Sequence, residues 1–187
     1  MILATIATLE AQIAALDLQL RGAMKEQDAL LDRMKQAPGI ADVASREILA
    51  EIGPILDSFP KDRSLVAWCG LCPGNNESAG KRKSGKSPVR KNHLKTIMTE
   101  VAWAAIKKKD SYFKDKYYRL KVRRGAKRAI VAIAHRILLG LYHVIKDGAD
   151  FLDLGGDYLT LRNKSQKVFH LRKQALAMGF NLVPQSV

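Results

Sequence analysis

The sequence predicts a mainly α-helical protein, with an amino-terminal coiled-coil helix over residues 1–36 followed by a compact helical domain over residues 37–187. Three observations predict it. Apolar residues recur at helical spacing through most of the chain, no stretch alternates with the period of two that marks a strand, and Gly or Pro punctuates the periodic stretches. At 47% hydrophobic the chain can bury a core, and at 6% aromatic that core is mostly aliphatic.

The first element is the most regular. Ile2, Ile6, Leu9, Ile13, Leu16, Leu20, Ala23, Gln27, Leu30 and Met34 follow one another at alternating steps of four and three. That is a coiled-coil seam of about five heptads, with one polar position at Gln27. So narrow a stripe calls for a partner helix, and a second copy of the chain is the expected one; a helix packed on its own domain is the alternative.

Pro38 and Gly39 end this helix, and a second helix from about Val43 to Ile52 is closed by Gly53-Pro54. Two helices about a Gly-containing turn, over residues 37–60, resemble a helix-hairpin-helix, which offers backbone N–H groups to DNA phosphates. Ala41 stands where a second glycine is usual, and plain packing is the competing reading. Residues 64–71 form a short buried helix. Pro73 to Arg90 reads as a long loop of Gly, Asn, Ser and Lys. Helices follow at about Lys91 to Lys108, Ser111 to Arg123, and Gly125 or Ala126 to Lys146. After a Gly and Asp loop from Asp147 to Asp157, a last helix spans Asn163 to Met178, with Gly179 as its left-handed cap. Residues 91–148 thus make a set of basic helices, and 149–187 a closing loop and helix.

The charge is unevenly spread. Residues 81–136 carry 19 of the 32 Lys and Arg and only Glu100, Asp110 and Asp115 as acids, a net +16 within a total of +14. Charge gathered this way attracts polyanions, nucleic acid first and an acidic membrane surface second. The candidate nucleic-acid contacts are Lys81, Arg82, Lys83, Lys86, Arg90, Lys91, Lys95, Arg123, Arg124, Lys127 and Arg128. Tyr112, Phe113, Tyr117 and Tyr118 lie among further Lys and Arg and could stack on unpaired bases, half or more of them being core. The pattern does not separate DNA from RNA.

No apolar run reaches the roughly 20 residues of a membrane span, and the first residues lack the basic region of a signal peptide. Cys69 and Cys72 are the only cysteines, which predicts a reducing cytosolic setting and buried structural thiols. Their C-x-x-C spacing has no second ligand pair among His93, His135, His143 and His170, so no zinc site is expected. Asp150, Asp153 and Asp157 fit neither a Ca²⁺ loop nor a two-metal site and are expected to be solvated loop residues.

The loop from Gly70 to Lys86 holds small residues that let a backbone approach a ligand, flanking cations, and hydroxyls at Ser78, Ser84 and Ser87 that could attack phosphorus if activated. These features alone do not choose among the three serines, nor between chemistry and plain phosphate binding. Gly80 to Ser87 spells G-x-x-x-x-G-K-[ST], but the stretch reads as a loop with no strand before it, so it is not taken as a Walker loop.

Longer runs go further. Leu65-Val66-Ala67-Trp68-Cys69-Gly70-Leu71-Cys72-Pro73 and Asn75-Asn76-Glu77-Ser78-Ala79-Gly80-Lys81 resemble the transposase domain of the insertion-sequence-110 family. Ala37-Pro38-Gly39-Ile40, Leu49-Ala50-Glu51-Ile52-Gly53, Lys127 to His135, and Leu154-Gly155-Gly156-Asp157-Tyr158 resemble further stretches of it, in the same order. The resemblance covers about residues 35–183. It implies a DNA transposase or site-specific recombinase, guided by a structured bridge RNA, whose serine attacks the DNA backbone. By position that serine is Ser78, followed here by Ala79 where the family usually has Gly. The family's amino-terminal RuvC-like domain, whose four acids bind Mg²⁺, is expected to be missing from this chain. The resemblance therefore implies no cofactor within the chain, Mg²⁺ from a full-length partner, and DNA, guide RNA and further copies as partners in a bacterial or archaeal cytosol. The alternative is a non-catalytic nucleic-acid-binding fragment or regulator.

Overall fold

The computed structural model describes residues 1–73, the backbone of 76–78 and 81–84, and residues 92–183. Within them the chain is mainly α-helical. In order come α1 (Ile2–Ala23), α2 (Asp28–Met34), α3 (Asp42–Ile52), α4 (Asp62–Trp68), β1 (Asn76–Ser78), β2 (Lys81–Ser84), α5 (His93–Ala105), α6 (Tyr112–Arg124), α7 (Ala126–Asp147) and α8 (Tyr158–Ala177).

The core is built around α7. Its buried residues Ile130, Ile133, Ala134, Ile137, Leu138, Leu141 and Val144 recur at three- and four-residue steps. α2, α4, α5 and α6 pack against it. From α5 come Leu94, Ile97, Met98 and Val101, from α4 Leu65 and Val66, and from α2 Leu31 and Met34, all nearly inaccessible to solvent. Both α5 and α6 are started by local chemistry. Asn92 caps α5, its side chain accepting from the Lys95 N–H at 3.3 Å, and the Ser111 hydroxyl caps α6, accepting from the Phe113 N–H at 3.2 Å.

The connection from Gly148 to Asp157 is a strap. Phe151 donates its N–H to Gln36 Oε1 at 2.9 Å, and Arg33 donates to the Gly148 carbonyl at 3.1 Å. A Cβ on Gly140 would lie 2.4 Å from the Phe151 ring, so the glycine inside α7 is the slot that seats this strap. Asp153 is not a solvated loop residue. Its side chain is 12% exposed, accepts from the Tyr112 N–H at 2.9 Å and lies 3.7 Å from Lys108 Nζ. The acid is held by the open N–H groups at the start of α6.

Three further differences from the sequence reading have physical causes. The coiled-coil seam does not run unbroken to Met34. A 3-10 turn at Lys25–Gln27 interrupts it, with Gln27 donating to the Met24 carbonyl at 2.9 Å. The tighter winding changes the phase, so α2 turns Leu31 and Met34 into the core while α1 keeps every residue away from it. The stretch read as a loop over 73–90 contains an antiparallel hairpin, β1 with β2. Too short to show a period of two, its strands leave no periodic signal in the sequence. Finally, α8 begins at Tyr158, five residues before the expected Asn163, and ends as expected, with Gly179 at φ +83° and Phe180 donating to the Ala175 carbonyl at 2.8 Å.

Two helices, α1 and α7, are long and apolar enough by length and composition to cross a membrane, although each contains charged residues. More than half of the apolar window of α7 is buried in the protein itself, which is what a core helix does.

Candidate nucleic-acid interface

Two groups of the predicted contact residues sit on different elements. The first is the hairpin. Its register pairs Ser78 with Lys81, Glu77 with Arg82 and Asn76 with Ser84, with an irregularity between Asn76 and Glu77. Ser78 therefore lies at the end of β1 next to the turn, directly across from Lys81, with Arg82 and Lys83 following along β2. Sequence reasoning selected these residues but took them as loop. Lys86, Arg90 and Lys91, and the serine at 87, lie outside the described residues.

The second group is the corner between α6 and α7. Arg123 and Arg124 close α6, Lys127 and Arg128 open α7, and Gly125 turns the chain between them at φ +79°. All four cations are exposed, and none makes a side-chain hydrogen bond or ion pair to a described residue. The contrast with their neighbours is informative. Arg119 donates to both oxygens of Asp115 at 2.9 Å, Lys116 donates to the Tyr112 hydroxyl at 2.7 Å, and Lys108 faces Asp153. Those cations have partners among the described residues; Arg123 and Arg124 have none but suit the carboxyl end of α6, and Lys127 and Arg128 have no such compensation. Lys127 and Arg128 sit at the positive end of a 22-residue helix that has no acid in its first turn. That placement costs stability unless an anion offsets it.

Lys95 is on a third element, α5. It is half-buried in the first turn of α5, and its Nζ lies 3.8 Å from where a Cβ on Gly70 would be. That cation also bears on Cys69, whose thiol burial pushes up to about 12, with Lys95 opposing the rise. Burial raises Cys72 as well. Both thiols are free and held in the neutral form.

The helix-hairpin-helix-like joint is present as α2, a turn and α3, but its glycine is occupied. A Cβ on Gly39, at φ +84°, would lie 2.4 Å from the Val101 carbonyl and 2.8 Å from the Ala105 nitrogen. The turn is pressed against the α5 backbone, and the first turn of α3 already holds Asp42, which pairs with Lys35 at 2.9 Å. Lys35 holds Asp42 below the ordinary carboxylate range, and Asp32 first, then Asp42, hold Lys35 above the ordinary amine range. The observed contacts of this joint are packing contacts.

Of the aromatics named from sequence, Tyr112, Phe113 and Tyr117 are core and only Tyr118 is exposed. Sequence reasoning missed Trp103, which is 42% exposed on α5. Its place between the buried Ala102 and the cations from Lys107 onward is a signal that was available.

Among the described residues no group of three or more His, Cys, Asp or Glu comes together to hold a metal ion. Asp150 accepts from Gln36 at 3.2 Å and Asp153 caps α6. The described residues therefore do not fit Mg²⁺, and no chemical step is assigned to it.

Residues 31–118 match the family model described as Transposase IS116/IS110/IS902 family. The matched segment runs from α2 into α6 and includes the whole hairpin. No curated protein matches the chain.

Proposed function

We propose that this chain is a subunit of a DNA transposase or site-specific recombinase in which Ser78 is the nucleophile and the hairpin and the α6–α7 corner hold phosphates. The observation that carries the reading is the four uncommitted cations at the corner, taken with a family match that spans the hairpin bearing Ser78 opposite Lys81. Exposed cations without a side-chain partner among the described residues, two of them at the amino terminus of α7, suit a polyanion.

The chemistry is a transesterification. The Ser78 oxygen attacks phosphorus, a phosphoserine diester forms, and the sugar oxygen on the other side of the phosphorus leaves and takes up the proton that the serine gives up. One phosphodiester replaces another, so the step needs no external energy. Guidance by a bridge RNA, and Mg²⁺ from a RuvC-like domain of a full-length partner in a bacterial or archaeal cytosol, belong to the same proposal. They rest on the likeness to the family.

Self-association completes the reading. With Ile6 and Ile13 at one seam position and Leu9 and Leu16 at the other, α1 has the pattern that favours a parallel two-stranded coiled coil.

A labelled cognate DNA incubated with Mg²⁺, with and without full-length enzyme, tests the chemistry. The expected result is a covalent protein–DNA adduct that is absent in Ser78→Ala. An adduct that survives that change removes Ser78 as nucleophile. No adduct in either mixture leaves the second reading, a binding fragment or regulator.

A further inference from the structure

We infer that Trp103, Tyr118 and Lys121 form a stacking site for an unpaired nucleobase on the face shared by α5 and α6. The inference deepens the nucleic-acid reading and rests on it.

The site is built from three rings. Tyr117 is buried, at 3% exposure, and stands edge-on to both neighbours, 5.9 Å from Trp103 and 5.3 Å from Tyr118 between ring centroids. It fixes two rings that the fold leaves open, Trp103 at 42% and Tyr118 at 52%. Lys121 extends its amine over this group, 6.0 Å from the Tyr117 centroid and 5.8 Å from that of Tyr118. The two outer rings lie on different helices, so the arrangement exists only in the folded state.

The surrounding charge identifies the occupant. Lys114, Lys121 and Arg124 share one side of α6 with the tyrosines, at i, i+7 and i+10, which spaces them over roughly 15 Å of helix. The nearest acid on α6, Asp115, is already bound by Arg119. Glu100, one turn before Trp103, is the only acid on α5, and it bounds the patch at that end. Aromatic faces beside a row of cations match a single strand, whose bases expose their π faces while the phosphates follow the charge. In a duplex those faces are stacked away. A second copy of the chain is disfavoured here, because self-contact would set this cationic face against itself.

Fluorescence tests the site. The chain has two tryptophans, so Trp68→Phe leaves Trp103 as the sole reporter. The probes are oligo(dT) and oligo(rU) of about ten nucleotides and a DNA duplex of the same length, at low salt. Single strands should quench Trp103 emission, and the duplex should not. Trp103→Ala and Tyr118→Ala should each weaken single-strand binding about 5- to 100-fold, with duplex affinity changed less than twofold. Tyr118→Phe should retain binding, and circular dichroism checks folding; because Tyr118 is half exposed, its variant reports even where Trp103→Ala unfolds. Preference for oligo(dT) or oligo(rU) identifies the strand, and either supports the site. Equal weakening on single strand and duplex, or no weakening, overturns the inference while leaving the basic-surface reading intact. Binding of neither probe by the parent chain sinks both. Variants that alter self-association and not oligonucleotide affinity make the patch a protein contact and overturn the inference.

Discussion

α1 and α7 are both 22 residues long and both apolar, yet α1 buries nothing and α7 buries nine residues. The difference lies in the width of the apolar surface. In α7 buried residues come in adjacent pairs, Ala129-Ile130, Ile133-Ala134, Ile137-Leu138 and Leu141-Tyr142, so the covered face is broad enough for α2, α4, α5 and α6 to share. In α1 the seam is one residue wide and repeats every three and a half residues, the geometry of a two-helix contact. A broad face is covered by its own chain, and a narrow one is complementary to a second helix.

The sharpest way to break this comparison is to truncate one residue in each helix. Leu138→Ala removes a fully buried side chain from α7 and should cost about 2–5 kcal/mol, a large part of a typical stability of about 5–15 kcal/mol. A chemical-denaturation midpoint measures it. Ile13, 60% exposed in α1, should behave differently. Ile13→Ala should leave the midpoint of the dilute chain nearly unchanged and should weaken self-association in sedimentation. If Ile13→Ala lowers the dilute midpoint as far as Leu138→Ala does, α1 folds onto its own body and the comparison fails.

A milder change sharpens it. Gly140 in α7 and Gly22 near the end of α1 both sit within helices, where alanine is favoured by up to about 1 kcal/mol. A Cβ at Gly22 meets nothing within 4 Å, and a Cβ at Gly140 meets Phe151 at 2.4 Å. The same substitution should therefore have opposite signs. Gly22→Ala should raise helix content by circular dichroism. Gly140→Ala should displace the strap, and the cost of overpacking, about 1–3 kcal/mol, should exceed the propensity gain and lower the melting temperature. Equal stabilisation by both would show that the strap does not press on α7.

What the sequence made legible follows the same division. The bounds of α3, α5, α6 and α7 were readable to within three residues because Gly, Pro, Asn92 and Ser111 mark ends that the fold uses. The 3-10 turn at Lys25–Gln27 was not, because an unbroken heptad pattern says nothing of the tertiary contacts that pull Leu31 and Met34 inward. The hairpin was hidden by its short strands, and the role of Asp153 by a distance of 41 residues between acid and helix. Of the candidate site, Arg123, Arg124, Lys127 and Arg128 were legible from charge alone. Their lack of a side-chain partner among the described residues was not, since composition does not distinguish them from Lys116 or Arg119, which the fold engages.

The smallest expected effect concerns His135, on α7 one turn from the buried Leu138. Burial lowers its pKa below the ordinary 6.5, and Arg136 and Lys116 lower it further, while Asp62 opposes them. The folded state therefore prefers the neutral ring and the unfolded state takes up a proton first. Stability from this group is complete above about pH 6.5 and is lost as the pH falls toward the lowered folded value. Denaturation midpoints measured from pH 7.5 down to 5.5 should decline in the parent chain and decline less in His135→Gln, whose side chain does not titrate. A contribution of this kind arises in α7 because packing there excludes water from an ionisable ring, and α1, exposed along its length and without histidine, has no counterpart. A midpoint that rises on acidification in the parent, with the slope removed by His135→Gln, would mean that Asp62 outweighs burial and would reverse the assignment.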